Sequence, residues 1–195
     1  MTKNTEIEQS EVTEVAESKS YKKELIIGAA VVVGSLAVIG VIALAIYSSI
    51  PKVVYQPATA CALFTQAEAQ ELLGDSTFNT NSDAPVISKN FGSSKCGYAD
   101  GNPDKEKVVV AAINIRSGIN DNGVQQNKSD FTNGMPTQGV EEVKDLGDKA
   151  YFNFSVGQLN VLNGRDWIIF SYGVGSTPQE NTVENAVMLA KKVVR

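Results

Sequence analysis

Apolar positions fall along this chain in three regimes. A polar start is followed by one unbroken apolar run and then by a long stretch with strand-like or helix-like spacing. The unbroken run is Leu25 to Tyr47, LIIGAAVVVGSLAVIGVIALAIY, and holds no charge, Pro, Asn or Gln. As a helix it reaches about 34 Å at ~1.5 Å per residue, enough to cross a hydrocarbon core of roughly 30 Å. A buried core helix is the competing reading, but such helices rarely stay free of polar residues over this length. The pattern predicts a transmembrane helix over 25–47.

Beyond the run, residues 48–60 carry Pro51 and Pro57 and few periodic apolar positions, and read as an extended linker. Thr65 and Glu68 then form a T-x-x-E capping box, and Gly74 is a C-terminal stop. These signals predict a short helix over 66–73. Residues 75–95 are rich in Asn, Ser, Asp and Gly and read as a weak strand or loop. Cys96-Gly97-Tyr98 opens a strand, and Asp100-Gly101-Asn102-Pro103 is turn chemistry. Over 107–117, Val109, Ala111, Ile113 and Ile115 share one face while Asn114 and Arg116 lie on the other, the alternation of a half-buried strand. The two strands make a hairpin.

Residues 117–139 turn polar again, with Phe131 as the anchor of a short helix. Residues 150–156, Leu159 to Leu162 and Trp167 to Tyr172 are three further strands. The last two are joined at Asn163-Gly164, where both residues tolerate positive φ. At the chain end Thr177 is a cap, Pro178 suits the first helical position and Glu180 completes a capping box. Val183, Ala186, Val187, Ala190 and Val194 form an apolar helical face, with Lys191, Lys192 and Arg195 placed to complement the helix dipole. This order predicts an α+β domain over 61–195. Its antiparallel sheet would be flanked by a short N-terminal helix and a longer C-terminal one.

Charge decides orientation. Residues 1–24 hold four Lys and six Glu with little apolar content, and read as a disordered tail. Lys19, Lys22 and Lys23 lie just before the span and only Lys52 lies just after it. Basic residues near a span stay inside, so the tail is expected in the cytoplasm and the domain outside a cell membrane crossed once. A cleaved signal peptide would need a shorter apolar core and a small-residue site directly after it. Ala58-Thr59-Ala60 lies beyond a polar stretch, which favours an uncleaved signal anchor. Ala30, Gly34 and Ala37 share one face of the span. They would allow a weak homodimer, against plain contact with the lipid bilayer. With 13 Lys and Arg against 16 Asp and Glu after the span, the chain has no basic surface for nucleic acid.

Candidate chemistry is sparse. The chain has no His, which removes the commonest general base and zinc ligand. It has no Gly-rich phosphate loop, no C-x-x-C pair and no nucleophile elbow. No catalytic residue, metal ligand or cofactor is expected, and the chain reads as not an enzyme. Asp145 with Asp148, and Asp100 with Asp104, could bind calcium weakly, but turn formation explains them better. Asn127-Lys128-Ser129 and Asn153-Phe154-Ser155 match a glycosylation pattern that only a eukaryotic secretory protein uses. Tyr151, Phe152, Phe154, Trp167, Phe170 and Tyr172 are interleaved on predicted strands. Core packing is their default role, and Tyr151, Phe154, Trp167, Phe170 and Tyr172 are the candidates to line a pocket.

Several short motifs carry a resemblance over about residues 60–194. They are Cys61-Ala-Leu-Phe-Thr-Gln-Ala-Glu-Ala, Leu73-Gly74, Cys96-Gly97-Tyr98 and Val143-Lys144-Asp145-Leu146-Gly147-Asp148-Lys149-Ala150. Their order resembles that of actinobacterial cell-envelope lipoproteins of unknown function, and is broadly similar to the extracellular sensor domain of mycobacterial receptor kinases. The resemblance implies an envelope protein, an antiparallel sheet flanked by helices, and a disulfide between Cys61 and Cys96. It transfers no catalytic residue. This chain departs from the family in having a span instead of a lipid anchor, and it has no kinase domain. The even cysteine count and the oxidising outer side agree with the bridge. Two buried free thiols, or lipid on Cys61, are its rivals.

The leading expectation for function is therefore a membrane-anchored extracytoplasmic binding or sensor-like domain, whose ligand is a small molecule, a wall polymer or a protein. A structural or assembly protein packing against a membrane partner is the alternative, and an enzyme of unidentified type the third. A deep apolar cavity lined by strand aromatics would favour the first, and a flat exposed apolar patch the second.

Overall fold

The computed structural model describes residues 53–82 and 84–194. The predicted tail, the span 25–47 with its Ala30, Gly34 and Ala37 face, and the first part of the linker lie outside the described residues. Among the described residues no helix is long and apolar enough to cross a membrane.

The first ordered segment is a strap. Tyr55 N donates to Ile119 O (2.8 Å), Ala58 N to Ser117 Oγ (2.9 Å) and Ala60 N to Ser94 Oγ (2.9 Å), while Ser94 Oγ donates to Ala58 O (2.9 Å). Pro57 sits where a side chain on Gly92 would be, since a Cβ there would lie 2.3 Å from Pro57 Cβ. Residues 55–60 thus belong to the domain, and the free linker expected over 48–60 ends earlier than predicted.

The strap feeds α1 (Ala60–Leu63) and α2 (Gln66–Leu73). The sequence places α2 correctly because its end signals are complete. The Thr65 side chain accepts from Glu68 N, the Glu68 carboxylate accepts from Thr65 N (2.8 Å), and Gly74 closes the helix at φ 101°. Eight strands follow in one antiparallel sheet: β1 (Thr77–Ser82), β2 (Val86–Ile87), β3 (Phe91–Asp100), β4 (Val109–Gly118), β5 (Val140–Val143), β6 (Lys149–Asn153), β7 (Gln158–Asn163) and β8 (Asp166–Val174). Their spatial order is β1-β3-β4-β8-β7-β6-β5, with β2 also pairing β3. The polar stretch 75–95 thus supplies edge strands, which need few apolar residues because one long side faces water.

α3 (Asp121–Gly134) and α4 (Val183–Val193) complete the described helices. α3 is longer than the short helix expected around Phe131. Its buried residues are only Gly123, Asn127 and Phe131, so its periodicity is nearly silent. The C-terminal helix begins later than expected. Pro178–Glu180 is a single 3-10 turn, Thr177 makes no side-chain cap, and Thr182 caps α4 by accepting from Asn185 N. The break lies at Asn181, whose amide donates to Gly157 O (3.0 Å) and holds the chain extended at φ −62°, ψ 142°. The β7–β8 hairpin turns on Gly164-Arg165, one residue later than expected. Asn163 still pairs with Asp166, and Gly164 takes φ 60°, which suits glycine at the first central position of a two-residue turn.

The main core lies between one sheet face and α1, α2 and α4. Phe64, Ile113, Ile115, Phe152, Leu159, Phe170 and Leu189 are its largest fully buried apolar side chains. A smaller cluster of Phe131, Tyr151 and Leu162, flanked by Trp167 and Val140, packs α3 on part of the opposite face. The architecture is α+β with an antiparallel sheet.

Candidate functional site

The two faces of the central strands carry different chemistry. On one face, Cys96, Ile113, Phe170 and Leu159 form a cross-strand row inside the core. One residue along, Lys95, Asn114, Ile169 and Asn160 form a row on the other face, flanked by Gly97-Ala112-Ser171 and by Ser93-Arg116-Trp167-Leu162. α3 covers only the end of this second face nearest Trp167. The rest is uncovered and forms a hollow of about 420 Å³, adjoined by one of about 170 Å³ that shares Asn114 and Ile169 with it. The larger volume lies within the range of ligand sites, roughly 300–1,000 Å³.

Gly97, Ala112 and Ser171 make the floor, and their small size keeps the hollow open. Thr80, Asn81, Lys95, Asn114, Gln158 and Ser171 supply hydroxyl, amide and ammonium groups around it. Among the described residues none of these six side chains is bonded to another protein group. Arg116 bounds the smaller hollow. Its guanidinium lies 3.8 Å from the centroid of the Phe91 ring, and its Nη2 donates to the Asp130 carboxylate of α3 at 2.6 Å. The lining of the two hollows includes Lys95 and Arg116 and no carboxylate. Trp167 forms part of the wall, its Nε1 donating to Asn160 Oδ1 at 3.0 Å and its ring meeting Phe131 edge-on.

The five aromatic candidates do not converge on one pocket. Phe170 is fully buried on the core face. Tyr172, on the same face, donates to Leu72 O at 2.9 Å. Tyr151 is buried against Phe131 on the other face. Phe154 lies past the end of β6, 44% exposed and packed edge-on against Phe152. Only Trp167 lines a hollow. The period-two alternation of strands divides aromatics that look contiguous in sequence. The polar groove residues are not among these candidates. Their signal was the outward half of the same alternation, visible at Asn114 and Arg116 on β4 and at Ile169 and Ser171 on β8.

Cys61 of α1 and Cys96 of β3 are joined by a disulfide, with Cα atoms 5.0 Å apart. Several other polar groups serve structure. The Asp100 carboxylate accepts from Lys105 Nζ, Ser76 Oγ (2.8 Å) and Asn102 N (3.0 Å). The Lys105 bond contributes most to holding it down to about 2. Asp148 accepts from Gly164 N (2.8 Å), so one carboxylate of each acidic turn pair has a structural partner. Burial pushes the Asp166 carboxyl up, against a hydrogen bond from Ser117 and the charge of Arg165. Asn127 is buried with its amide donating to Arg116 O and Arg165 O (both 2.8 Å), so this glycosylation match is not presented to solvent. Among the described residues no group of three or more His, Cys, Asp or Glu is placed to hold a metal ion.

Comparisons with protein-family models, with curated proteins and with solved structures return no match to this chain. The described residues form an α+β domain with a disulfide and a hollow of about 420 Å³ on an uncovered sheet face.

Proposed function

We propose that the chain is a membrane-anchored, extracytoplasmic binding domain of a cell envelope, and that it binds on the uncovered sheet face rather than turning a substrate over. The observation that carries this is the set of six polar side chains around the 420 Å³ hollow, none bonded to another protein group among the described residues. Their convergence on one hollow floored by Gly97 and Ala112 is what offers them together to a ligand. The Cys61–Cys96 disulfide supports an oxidising location. The apolar run 25–47 and its charge bias support the anchor and orientation. The envelope family named above is consistent with this reading.

The test is photo-crosslinking in the cells that make the protein. A benzophenone side chain is placed at exposed Asn114 in the groove, and at exposed Glu184 on α4 as a control. A non-protein envelope adduct at 114 and none at 184 is the expected result. A protein adduct at 114 would favour the assembly role instead. No adduct at 114, or equal yields at both positions, would overturn the groove as the binding surface.

A further inference from the structure

We infer that the groove takes a carboxylated polysaccharide strand, an inference that rests on the groove being the binding surface. Extent comes first. The lining runs from Thr80 on β1 to Gln158 on β7, across five neighbouring strands. At ~4.8 Å per strand interval this is about 19 Å. Such a trough suits an extended chain laid across the strands better than a compact ligand.

Lining chemistry narrows the class. Amide side chains at Asn81, Asn114 and Gln158 each both donate and accept, as do the hydroxyls of Thr80 and Ser171. A ligand dense in hydroxyls matches that inventory. The small floor at Gly97 and Ala112 and the side of Ile169 give apolar contact for the C–H faces of sugar rings, and Trp167 walls the adjoining hollow. A protein partner fits less well, because interface cores are built on several large apolar or aromatic anchors. Ile169 and Trp167 are too few. Single-stranded nucleic acid needs a series of aromatic platforms for its bases, and the lining offers only Trp167.

Charge supplies the acid. Lys95 stands in the groove without a carboxylate partner among the described residues, on a chain of net charge -5. A neutral glycan would leave this ammonium to water and draw nothing from its charge. A phosphate polymer would meet the same ammonium, and titration separates it from a carboxylate. A single point charge beside amides suits one carboxylate seated at Lys95 among neutral hydroxyls.

Trp167 is the only tryptophan in the chain, so its fluorescence reports on the site. The full chain in detergent is titrated with oligogalacturonate, with neutral cello-oligosaccharide of equal length, with polyphosphate and with polyglutamate. Oligogalacturonate should give a saturable change in Trp167 emission that weakens with added salt. Lys95→Glu replaces an attraction with a repulsion at an exposed position and should weaken binding roughly ten-fold at an unchanged thermal midpoint, whereas Lys95→Arg should bind like the parent. No saturable response to oligogalacturonate overturns the inference. So does equal or tighter binding of any of the other three probes, or an unaltered affinity in Lys95→Glu. In each of these cases the adduct at position 114 still decides separately whether the groove is a binding surface.

Discussion

Reducing the Cys61–Cys96 bridge is the perturbation whose size follows most directly from the structure. The bond joins α1 to the middle of β3 across a sequence separation of 35. In the loop-entropy relation a loop of that length confers roughly 3.8 kcal/mol by restricting the unfolded chain. The expected drop in thermal midpoint is roughly 8–15 °C, taking ~2–4 °C per kcal/mol for a domain of this size. The assay compares oxidised full chain with the same chain reduced and kept reduced, so no side chain changes. Unfolding is followed by Trp167, which lies in β8 and reports this domain alone. Chemical denaturation gives the free energy, and a constant slope shows that the unfolded chain exposes the same surface. A loss below about 1 kcal/mol would refute the reasoning. It would mean that the unfolded ends already stay together, with the hydrogen bonds of residues 55–60 to Ser94, Ser117 and Ile119 as the natural source.

Two further outcomes are expected. Phe170→Ala should cost about 3–5 kcal/mol because the ring is fully buried, whereas Phe154→Ala, 44% exposed, should cost under about 1 kcal/mol; equal losses in urea unfolding would contradict the face assignment. Asp100 titrates at about 2 in the fold against an ordinary 3.8, so the unfolded chain binds more protons between those values. The stabilisation from this carboxylate is complete above 3.8 and is lost as pH falls towards 2. Asp100→Asn should flatten the pH dependence of the unfolding midpoint in that window, and an unchanged slope would show that Lys105 and Ser76 do not favour the ionised form.

The parts of the fold legible from sequence were those with complete local signals. Helix α2 announced itself through Thr65, Glu68 and Gly74, each with a side-chain or backbone bond of its own. Strand β4 was legible because Ala111, Ile113 and Ile115 all point into one core. Helix α3 was nearly hidden, since a buried Asn127 replaces an apolar residue and donates its amide hydrogens to the carbonyls of Arg116 and Arg165, outside the helix. The late start of α4 was hidden for a similar reason. Thr177, Pro178 and Glu180 form a sound local start, and a tertiary bond from Asn181 to Gly157 overrides it. Local rules place elements whose ends are satisfied locally and fail where a distant carbonyl supplies the partner.

The groove illustrates the same limit at the level of function, and for a physical reason. A sheet of this width needs cover on both faces if both are apolar. Here α1, α2 and α4 cover one face, and α3 reaches only one end of the other. The remaining area is therefore mostly small or polar: the outward positions of β3, β4 and β8 are Lys95 and Gly97, Ala112 and Asn114, and Ser171, with Ile169 the one large apolar side chain among them. Each position alone reads as an ordinary solvent-facing residue. Only the antiparallel register, which aligns Gly97 with Ala112 and Ala112 with Ser171, turns scattered small residues into a floor. Register of this kind is set by pairings between residues far apart in the chain, Ala112 and Ser171 among them. A site built across strands is thus invisible to motif reading, while one built within a loop or helix is not. The bulk that would close the hollow is absent at all three floor positions, and the polar groups around it remain unspent by the fold.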